Sequence, residues 1–458
     1  MIEVKEETLE STLRKVIQGL QPSKSRLVSF TKRVDKVDPL QFFEAGYHLH
    51  MNRSYWKSTI DNFTLVGIGN AFSIREENPY LLKDKWNALL NQAVINNPYQ
   101  LSGTGIVSIG GMDFDPLKSK TRLWQNFSSN ELRVPQFMLM VNEERAYLTV
   151  TVNVTSNDDP VAISEELTKN EEYLFKDNKL VSNNPTIVEK EEVEPENWKK
   201  TVRKATEHIS SGQAKKVVLA RELRLKFTEE VQVSGVLRQL LESQPTSYIF
   251  AYEQGKDCFV GATPERLVKV ERNELLSTCL AGTAPRGTNE AEDNELGHKL
   301  LHDVKNRKEH EFVVQMIKQS LEEFCKEINV PEHPVLYKLR NLQHLYTPVR
   351  GVFKEEQSIF DVVQKLHPTP ALGGEPREEA LTFIREQELL DRGWYGAPIG
   401  WIDSNQHGEF AVAIRSALLQ GDKASLFAGC GVVKDSDPEA EFEETRIKFL
   451  PMLNVLGG

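Results

Sequence analysis

Short hydrophobic runs alternate with turn-rich stretches along much of the chain. In the first 155 residues such runs, each bounded by residues typical of turns, occupy four ranges: 26–30, 64–69, 105–111 and 136–141. In the second half, strands are predicted over six more ranges: 217–225, 247–252, 257–261, 276–281, 410–416 and 424–430. We therefore expect extensive sheet structure at the centre of the protein.

Fewer stretches have the 3.6-residue period of an amphipathic helix. One such helix should end at Gly212, because hydrophobic side chains recur before it along a single helical face: Trp198, Val202, Ala205 and Ile209. Two more helices are predicted over 290–325 and 439–449. Strands followed by helices favour a mixed α+β fold, with a large, mainly antiparallel sheet and helices outside it.

Composition divides the chain into three parts. Residues 1–155 are predicted to be an N-terminal part of the sheet. Residues 156–195 carry NDDP, SNNP and several glutamates with few aromatic side chains, which predicts a charged helix-and-loop connector. Residues 196–458 hold most of the candidate chemistry. A length of 458 residues suits about three average domains or one large sheet fold, and we expect one structural domain overall.

Charge and composition exclude several classes of protein. The 56 basic and 67 acidic residues leave a net charge of −11, and no basic block is long enough to follow a nucleic-acid backbone. No apolar run approaches the roughly 18 residues of a membrane helix, and the acidic start does not resemble a signal peptide. We therefore expect a cytoplasmic protein without nucleic-acid or membrane partners. An anionic ligand would need local cationic groups or a metal ion.

Sequence motifs narrow the chemistry further. The four cysteines contain no CxxC pair, which argues against a zinc site or a disulfide framework. There is no GxxxxGK[ST] motif and no strand followed by GxGxxG, so neither a nucleotide P-loop nor a dinucleotide fold is indicated.

Two predicted helices carry polar residues along one side. Asn306 and Glu309 are at i, i+3, and Glu441, Glu444 and Lys448 are at i, i+3, i+7, within about 60° of one another. Such a stripe is commonly an exposed, salt-bridged face. Alternatively, the carboxylates hold a hard cation, because Mg²⁺ takes one or two carboxylates and leaves positions for substrate and water.

A lysine and a glutamate are candidates for acid–base chemistry. Strand alternation puts Lys215 and Lys216 on opposite faces, so at most one enters the buried side of the sheet. A desolvated lysine can act as a general base, whereas a lysine on an edge strand hinders aggregation. Glu265 follows a proline-led turn in GATPERL, where a partly desolvated carboxyl group could act as an acid.

Glycine-rich stretches and one histidine complete the candidates. LAGTAPRG (280–287) and AGCGVV (428–433) bring backbone N–H groups close to a neighbour, which suits either carboxylate binding or tight sheet packing. His344 alone is equally compatible with a satisfied histidine in the core.

Ten ordered motifs closely resemble the chorismate-utilising enzymes over residues 196–458: KVVLAR, GATPERL, LAGTAPRG, VKNRKEH, LQHLYTPVRG, LHPTPALGGEP, RGWYGAPIGW, FAVAIRS, AGCGVV and SDPEAEFEET. Within that family the chain resembles the isochorismate synthases, particularly the longer menaquinone-pathway form. The resemblance is looser over 1–155. It implies one large α/β domain with extensive antiparallel sheet and outer helices.

The resemblance implies a role for each candidate. Lys216 would activate water, Glu265 would protonate the departing hydroxyl group, and His344 would lie beside the substrate ring. The implied Mg²⁺ ligands are Glu309 and Glu444, with Glu441 and Asn306 around them and acting through water.

It also implies which groups bind the substrate. The enolpyruvyl carboxylate would be held by Arg415, Tyr395 and the backbone of Gly429. The ring carboxylate and metal would be surrounded by four residues: Lys448, Gly282, Thr283 and Gly431. The Ala371-Leu372 pair resembles isochorismate synthases, because salicylate synthases tend to have threonine and a smaller residue there.

The resemblance implies a Mg²⁺-dependent conversion of chorismate to isochorismate, by water attack at C2 and loss of the C4 hydroxyl group. Menaquinone biosynthesis is the favoured pathway because siderophore-pathway forms tend to have shorter N-termini. A siderophore-pathway synthase, a salicylate synthase and a non-catalytic binding subunit are the alternatives. Chorismate is the expected small-molecule partner of a monomer or homodimer.

Overall fold

The computed structural model describes residues 8–143, 145–176, 183, 185–338 and 342–458. Their helices are α1 (Leu9–Gly19), α2 (Pro39–His48), α3 (Leu81–Gln92), α4 (Pro160–Leu174), α5 (Pro195–Ser210), α6 (Val233–Ser243), α7 (Glu290–His302), α8 (Val304–Glu322), α9 (Ile359–Leu366), α10 (Arg377–Gln387) and α11 (Pro438–Val455). A 3₁₀ helix spans Arg122–Trp124.

The strands of the N-terminal third are β1 (Ser25–Val34), β2 (Arg53–Ser58), β3 (Phe63–Ile68), β4 (Phe72–Glu76), β5 (Val94–Asn96), β6 (Val107–Met112), β7 (Asn130–Val134), β8 (Phe137–Asn142) and β9 (Arg145–Thr155). Those that follow are β10 (Ile187–Glu192), β11 (Lys216–Phe227), β12 (Tyr248–Gln254), β13 (Asp257–Thr263), β14 (Arg266–Glu271), β15 (Glu274–Pro285), β16 (Cys325–Asn329), β17 (Val335–Lys338), β18 (Leu342–Phe353), β19 (Gly374–Glu375), β20 (Pro398–Asp403), β21 (Gly408–Val412), β22 (Ser416–Gln420) and β23 (Lys423–Val432).

The strands form two sheets. The larger, of 13 strands, has the order β10-β11-β23-β22-β13-β12-β2-β3-β8-β9-β1-β5, with β19 paired to β11. The smaller, of 10 strands, has the order β16-β18-β15-β14-β21-β20-β6-β7-β4, with β17 paired to β18. Among the described residues, β1–β5 is the one parallel pair. The expected mixed, mainly antiparallel fold is confirmed.

Side chains of both sheets share a buried aromatic cluster. Phe63 of the larger sheet stacks on Trp401 of the smaller one, with ring centroids 5.1 Å apart. Trp124, from the 3₁₀ helix, stacks on Phe427 of β23 at 5.7 Å. The cluster also contains hydrophobic residues of β6, β13 and β20. Offset or edge-on aromatic pairs of this kind bury large apolar areas, so they hold the two sheets together.

The helices follow their sequence signals. In α5, the predicted hydrophobic face is buried at Trp198, Val202, Ala205 and Ile209. In α11, Pro438 occupies the first turn, where its missing N–H is tolerated, and Asp437 caps the helix by accepting the N–H groups of Glu439 and Ala440. None of the helices formed by the described residues combines the length and apolar character that a membrane crossing requires.

Two predicted elements are wrong in their extent. The helix expected over 290–325 is two helices, because Asp303 interrupts it and caps α8 by accepting the N–H of Asn306 at 2.7 Å. The strand expected over 410–416 is broken between β21 and β22, where Arg415 has the left-handed φ of 51°. The apolar residues continue past the end of β21 as far as Ile414, so hydrophobic periodicity does not reveal where this strand ends.

The connector contains more regular structure than expected. It holds α4 and also β10, which pairs with β11 at the edge of the larger sheet. Most β10 residues are exposed, so the strand lacks the alternation that would have predicted it. Part of the connector, residues 177–182 and 184, lies outside the described residues.

Candidate active site

Lys216 opens strand β11 and lies half-buried against β23. Its neighbour Lys215 is exposed and lies 3.9 Å from a carboxylate oxygen of Glu375. A Cβ atom on Gly431, in β23, would lie 2.5 Å from Lys216 Cε and 3.2 Å from Nζ. The absence of a side chain at Gly431 therefore makes room for the Lys216 side chain. The prediction that strand alternation separates the two lysines is confirmed.

The surroundings of Lys216 favour its neutral form. Burial of the ammonium group lowers the pKa of Lys216, and the positive charge of Lys448 lowers it further. The carboxylates of Glu309, Glu265 and Glu444 oppose this by raising it, yet the pKa stays below its usual value. These opposing charges come from three elements, α8, the β13–β14 turn and α11, which therefore all approach this lysine.

Glu265 occupies the turn between β13 and β14. Its backbone N–H donates to Thr263 Oγ1 at 3.2 Å, and its carbonyl oxygen accepts the N–H of Val412 at 3.0 Å. Burial raises the pKa of the Glu265 carboxyl group to about 7, against the lowering influence of Arg415 and Lys216. A carboxyl group in this environment retains its proton near neutral pH, as a general acid requires.

Arg415 and Tyr395 form the adjoining wall. Burial lowers the pKa of the Arg415 guanidinium, while the Glu265 and Glu444 carboxylates raise it. The carbonyl oxygen of Arg415 accepts the N–H of Ala262 at 3.1 Å, so the left-handed turn is fixed to β13. Tyr395 is buried, which raises its pKa to about 12, and its hydroxyl lies 3.4 Å from the position of a Cβ on Gly429.

The predicted stripe on α11 has three different environments. Lys448 Nζ lies 2.6 Å from Glu444 Oε1 and donates to the carbonyl oxygen of Gly429 at 2.9 Å. Glu441 Oε1 accepts the hydroxyl hydrogen of Ser436 at 2.7 Å. Glu441 Oε2 is buried without a hydrogen bond of good geometry, and the Glu441 carboxylate adds to burial in raising the pKa of the neighbouring Cys430 thiol. The salt-bridged interpretation of the stripe therefore holds for Lys448 and Glu444, and cation binding by its carboxylates stays a prediction.

Asn306 and Glu309 lie in the first turns of α8. The Asn306 amide donates to Asp303 Oδ1 at 2.9 Å, and Asn306 Oδ1 lies 3.3 Å from the position of a Cβ on Gly282. Glu309 is exposed, and its charge acts on Lys216. Helix α8 therefore brings both predicted residues to the same side of the site as the glycine bulge of β15.

Gly282, Thr283 and His344 lie together across β15 and β18. Thr283 is paired with His344, and the strand register shifts at Gly282, which has a φ of 79°. Thr283 Oγ1 lies 3.0 Å from His344 Nδ1. Burial lowers the pKa of His344, and the positive charge of Arg415 contributes. A neutral imidazole beside Arg415 can exchange hydrogen bonds with a bound ring without adding a charge.

Ala371 and Leu372 lie in the loop between α9 and β19. Ala371 is exposed and Leu372 is buried, with its N–H donating to Thr369 O at 2.9 Å. The loop leads directly into β19, which pairs with Lys216. It thereby approaches the lysine end of the site.

The acidic residues fit a hard cation that substrate would help to hold. Within the described ranges, no three His, Cys, Asp or Glu side chains gather closely enough to form a metal site by themselves. However, Glu309 and Glu444 act on the same lysine, and Glu441 presents an unsatisfied buried oxygen. Mg²⁺ commonly takes only one or two protein carboxylates and keeps water and substrate oxygens as its other ligands.

Two residues behind the site were not singled out from the sequence. Glu388 and Arg392 form a buried ion pair, with Nε and Oε1 2.7 Å apart. The sequence shows this pair as two opposite charges at i, i+4 just before GWYGAPIGW. Their other hydrogen-bond partners lie in distant segments of the chain, so the sequence does not reveal them.

A model of a known enzyme family matches almost the whole sequence. The family model described as chorismate binding enzyme matches residues 11–457. The chain belongs to the chorismate binding enzyme family. Chorismate as a substrate and a requirement for a metal ion are both consistent with this membership.

Relatives of similar length align along nearly the whole chain. Isochorismate synthase MenF of Bacillus subtilis is 42% identical, over 98% of this chain and 99% of the relative. The salicylate biosynthesis isochorismate synthase of Pseudomonas aeruginosa is 34% identical, over 94% and 91%. A solved structure of MenF, the menaquinone-specific isochorismate synthase from Escherichia coli, superimposes with a TM-score of 0.80 at 25% identity, covering 98% of both chains.

The raised pKa of Glu265 predicts a pH-dependent cost in stability. Between its usual value near 4.5 and about 7, the folded state binds more protons than the unfolded state, so the free energy of unfolding falls as pH rises. Glutamine does not ionise, so Glu265→Gln should remove this fall in the free energy of unfolding. Urea denaturation should show the variant gaining up to about 3 kcal/mol relative to the original protein between pH 4 and 8. A difference that stays constant with pH would contradict the burial of this carboxyl group.

Proposed function

We propose that this protein is a Mg²⁺-dependent isochorismate synthase that converts chorismate to isochorismate for menaquinone biosynthesis. The observation that carries the proposal is the pair of Lys216 and Glu265, two buried groups whose charges act on each other. Burial lowers the pKa of the lysine and raises that of the carboxyl group to about 7. Burial thus shifts each group towards its uncharged form, which is the form that a base and an acid acting together require.

Substrate would be bound by local positive charge. Arg415 and Tyr395 would hold the enolpyruvyl carboxylate together with the backbone of Gly429. Lys448, which is oriented by Gly429 and Glu444, would interact with the ring carboxylate. Charge-assisted hydrogen bonds of this kind are stronger than neutral ones, so a dianion can bind despite the net charge of −11.

The proton transfers follow from the placement of the two groups. Neutral Lys216 would remove a proton from water as its oxygen bonds to C2 of the ring. The double bonds shift, the C4–O bond breaks, and Glu265 donates its proton to the departing oxygen, which leaves as water. One water is consumed and one is released, so the reaction is an isomerisation. Gly431 contributes by leaving space for the lysine side chain.

The implied metal ion fits the acidic residues of α8 and α11. Glu309 and Glu444 would hold Mg²⁺, with Glu441 and Asn306 around them. When bound, Mg²⁺ would fix the ring carboxylate and withdraw charge from the diene. Gly282 and Thr283 would lie around the ring carboxylate and the metal ion, and His344, which contacts Thr283, would lie beside the ring.

The wider setting of the enzyme is part of the proposal. We propose one structural domain made of 1–155, the connector 156–195 and 196–458, because residues 1–155 and residues 196–458 each contribute strands to both sheets. A cytoplasmic monomer or homodimer without nucleic-acid or membrane partners is supported by the acidic composition and by four buried cysteines without disulfides.

Substitution of the proposed base tests this function. Lys216→Ala should abolish conversion of chorismate to isochorismate, because no other group is assigned to remove the proton from water. Chorismate binding in the presence of Mg²⁺ should remain detectable by calorimetry. Product formation is followed by chromatography, with and without Mg²⁺.

The matched control is Lys215→Ala, which removes the exposed neighbouring lysine and its 3.9 Å contact with Glu375. This variant should retain activity close to that of the original protein. Full activity in Lys216→Ala would refute the assignment of the base, and no turnover by the original protein would refute the proposed function.

The rate should have a bell-shaped dependence on pH. Below about pH 7 both Lys216 and Glu265 are protonated, so Lys216 cannot accept a proton. Above the lowered pKa of Lys216 both groups are deprotonated, so Glu265 has no proton to donate. Measurement of kcat/KM between pH 5 and 11 should therefore show a lower limb near pH 7. A rate that only rises with pH would exclude Glu265 as the acid.

A salicylate synthase is the alternative product class. The sequence PALGG places Ala371 and Leu372 where salicylate synthases tend to have threonine and a smaller residue, so elimination of pyruvate should be slight. A lactate dehydrogenase assay of the same reaction mixture measures pyruvate directly. Pyruvate released in equal amount to chorismate consumed would instead identify a salicylate-forming enzyme. Menaquinone and siderophore roles share one reaction and are separated by the neighbouring genes.

A further inference from the structure

The outer edge of the strand that carries Lys216 has a gap in its pairing. Along its other edge, β11 pairs with β23 from 217 to 226. Along the outer edge, β19 pairs with residues 216 and 217, and β10 pairs with residues 223 to 227. Within the described chain, no strand covers this edge between 218 and 222. Buried backbone groups there need other partners, because an unpaired N–H or C=O is costly away from water.

Side chains take the place of the missing strand. A terminal nitrogen of Arg392 donates to Val218 O at 2.7 Å, and the N–H of Ala220 donates to Glu388 Oε2 at 2.7 Å. The indole N–H of Trp198 then donates to Ala220 O at 3.1 Å. Polar groups of an ion pair and a tryptophan thus continue the hydrogen bonding between β19 and β10.

The ion pair itself is buried and rigid. Glu388 is 6% exposed and Arg392 3%. Two nitrogens of the guanidinium bind the two carboxylate oxygens, each at 2.7 Å. The guanidinium also lies 4.1 Å from the ring centroid of Phe114. A forked pair whose remaining donors and acceptors are also satisfied is restricted to one geometry.

The same arginine contacts two other parts of the site. Arg392 donates to Leu372 O at 3.0 Å, in the loop that carries the Ala371-Leu372 pair. The carbonyl oxygen of Arg392 accepts the N–H of Tyr395 at 2.8 Å. Arg392 therefore connects three parts of the site: strand β11, the loop that carries Leu372, and Tyr395.

We propose that Glu388 and Arg392 are positioning residues that fix Lys216 relative to the Leu372 loop, and so set both the rate of water attack and the share of pyruvate formed. This inference rests on the proposed function. Val218 is two residues along β11 from Lys216, so movement of the strand edge is transmitted to the lysine. A displacement of about 1 Å at a reacting group can reduce a rate about 100-fold.

Arg392→Lys tests this proposal. Lysine keeps the positive charge beside Glu388 but lacks the planar fork, so it cannot reach Val218 O and Leu372 O together. We expect kcat to fall about 10- to 100-fold while KM for chorismate changes little, since the backbone bond to Tyr395 and the Arg415 side chain are retained. The pyruvate share should rise. The upper limb of the pH profile should move to higher pH, because a looser Lys216 is better hydrated.

Arg53→Lys is the matched control. Arg53 is 3% exposed and forks onto Glu253 at 2.8 and 2.5 Å, and its guanidinium lies 4.2 Å from the Phe43 ring centroid. It is thus a comparable buried pair whose described contacts are outside the site. The control should lower the unfolding temperature to a similar extent and leave kcat, the pyruvate share and the pH profile unchanged.

A second variant covers the case in which Arg392→Lys does not fold. Glu388→Gln keeps an oxygen for the Ala220 N–H and loses one bond to Arg392, so it should cause smaller changes in the same three readouts. A loss of kcat in either Arg392→Lys or Glu388→Gln with unchanged pyruvate share and pH limb would overturn the proposal, as would equal effects of Arg392→Lys and Arg53→Lys. These outcomes all require an active original protein, whose inactivity would instead refute the proposed function.

Discussion

The site depends on the removal of water from two groups of opposite chemistry. An ammonium and a carboxylate that remain in water are normally both ionised near neutral pH. Here burial works against the charged form of each, so the pKa of Lys216 falls and that of Glu265 rises to about 7. Desolvation of these two groups is unfavourable, and the favourable free energy of folding elsewhere in the protein offsets it.

Positive charge in the site is local rather than global. The chain is acidic overall, yet Arg415, Lys216 and Lys448 all belong to the site. The Glu444 carboxylate acts on both Arg415 and Lys216, whereas the Glu309 carboxylate and the Lys448 ammonium act on Lys216. Fields inside a partly desolvated site are determined by nearby groups, because distant surface charges are screened by water and salt. An acidic protein can therefore present a site suited to a dianion and a divalent cation together.

The sheet edge behind Lys216 illustrates how catalysis and folding share one set of contacts. Glu388, Arg392 and Trp198 satisfy backbone groups that a neighbouring strand would ordinarily satisfy. A continuous neighbouring strand would have satisfied the same N–H and C=O groups with backbone hydrogen bonds alone. The side chains, however, also reach the Leu372 loop, which a regular strand in this position would have covered.

The sequence alone determined the class of fold, the helix of α5, the positions of ten of the 23 described strands and the separation of Lys216 from Lys215, because each depends on local periodicity. It also identified both acid–base candidates, although their roles came from resemblance to a family. It did not reveal the break at Asp303, the left-handed turn at Arg415 or strand β10, whose local patterns are continuous or exposed. Only the tertiary structure decided which residues meet. The pKa shifts, the unsatisfied oxygen of Glu441 and the pairing of Arg392 with Val218 join segments far apart in the chain, and desolvation is a property of that assembly rather than of any one segment.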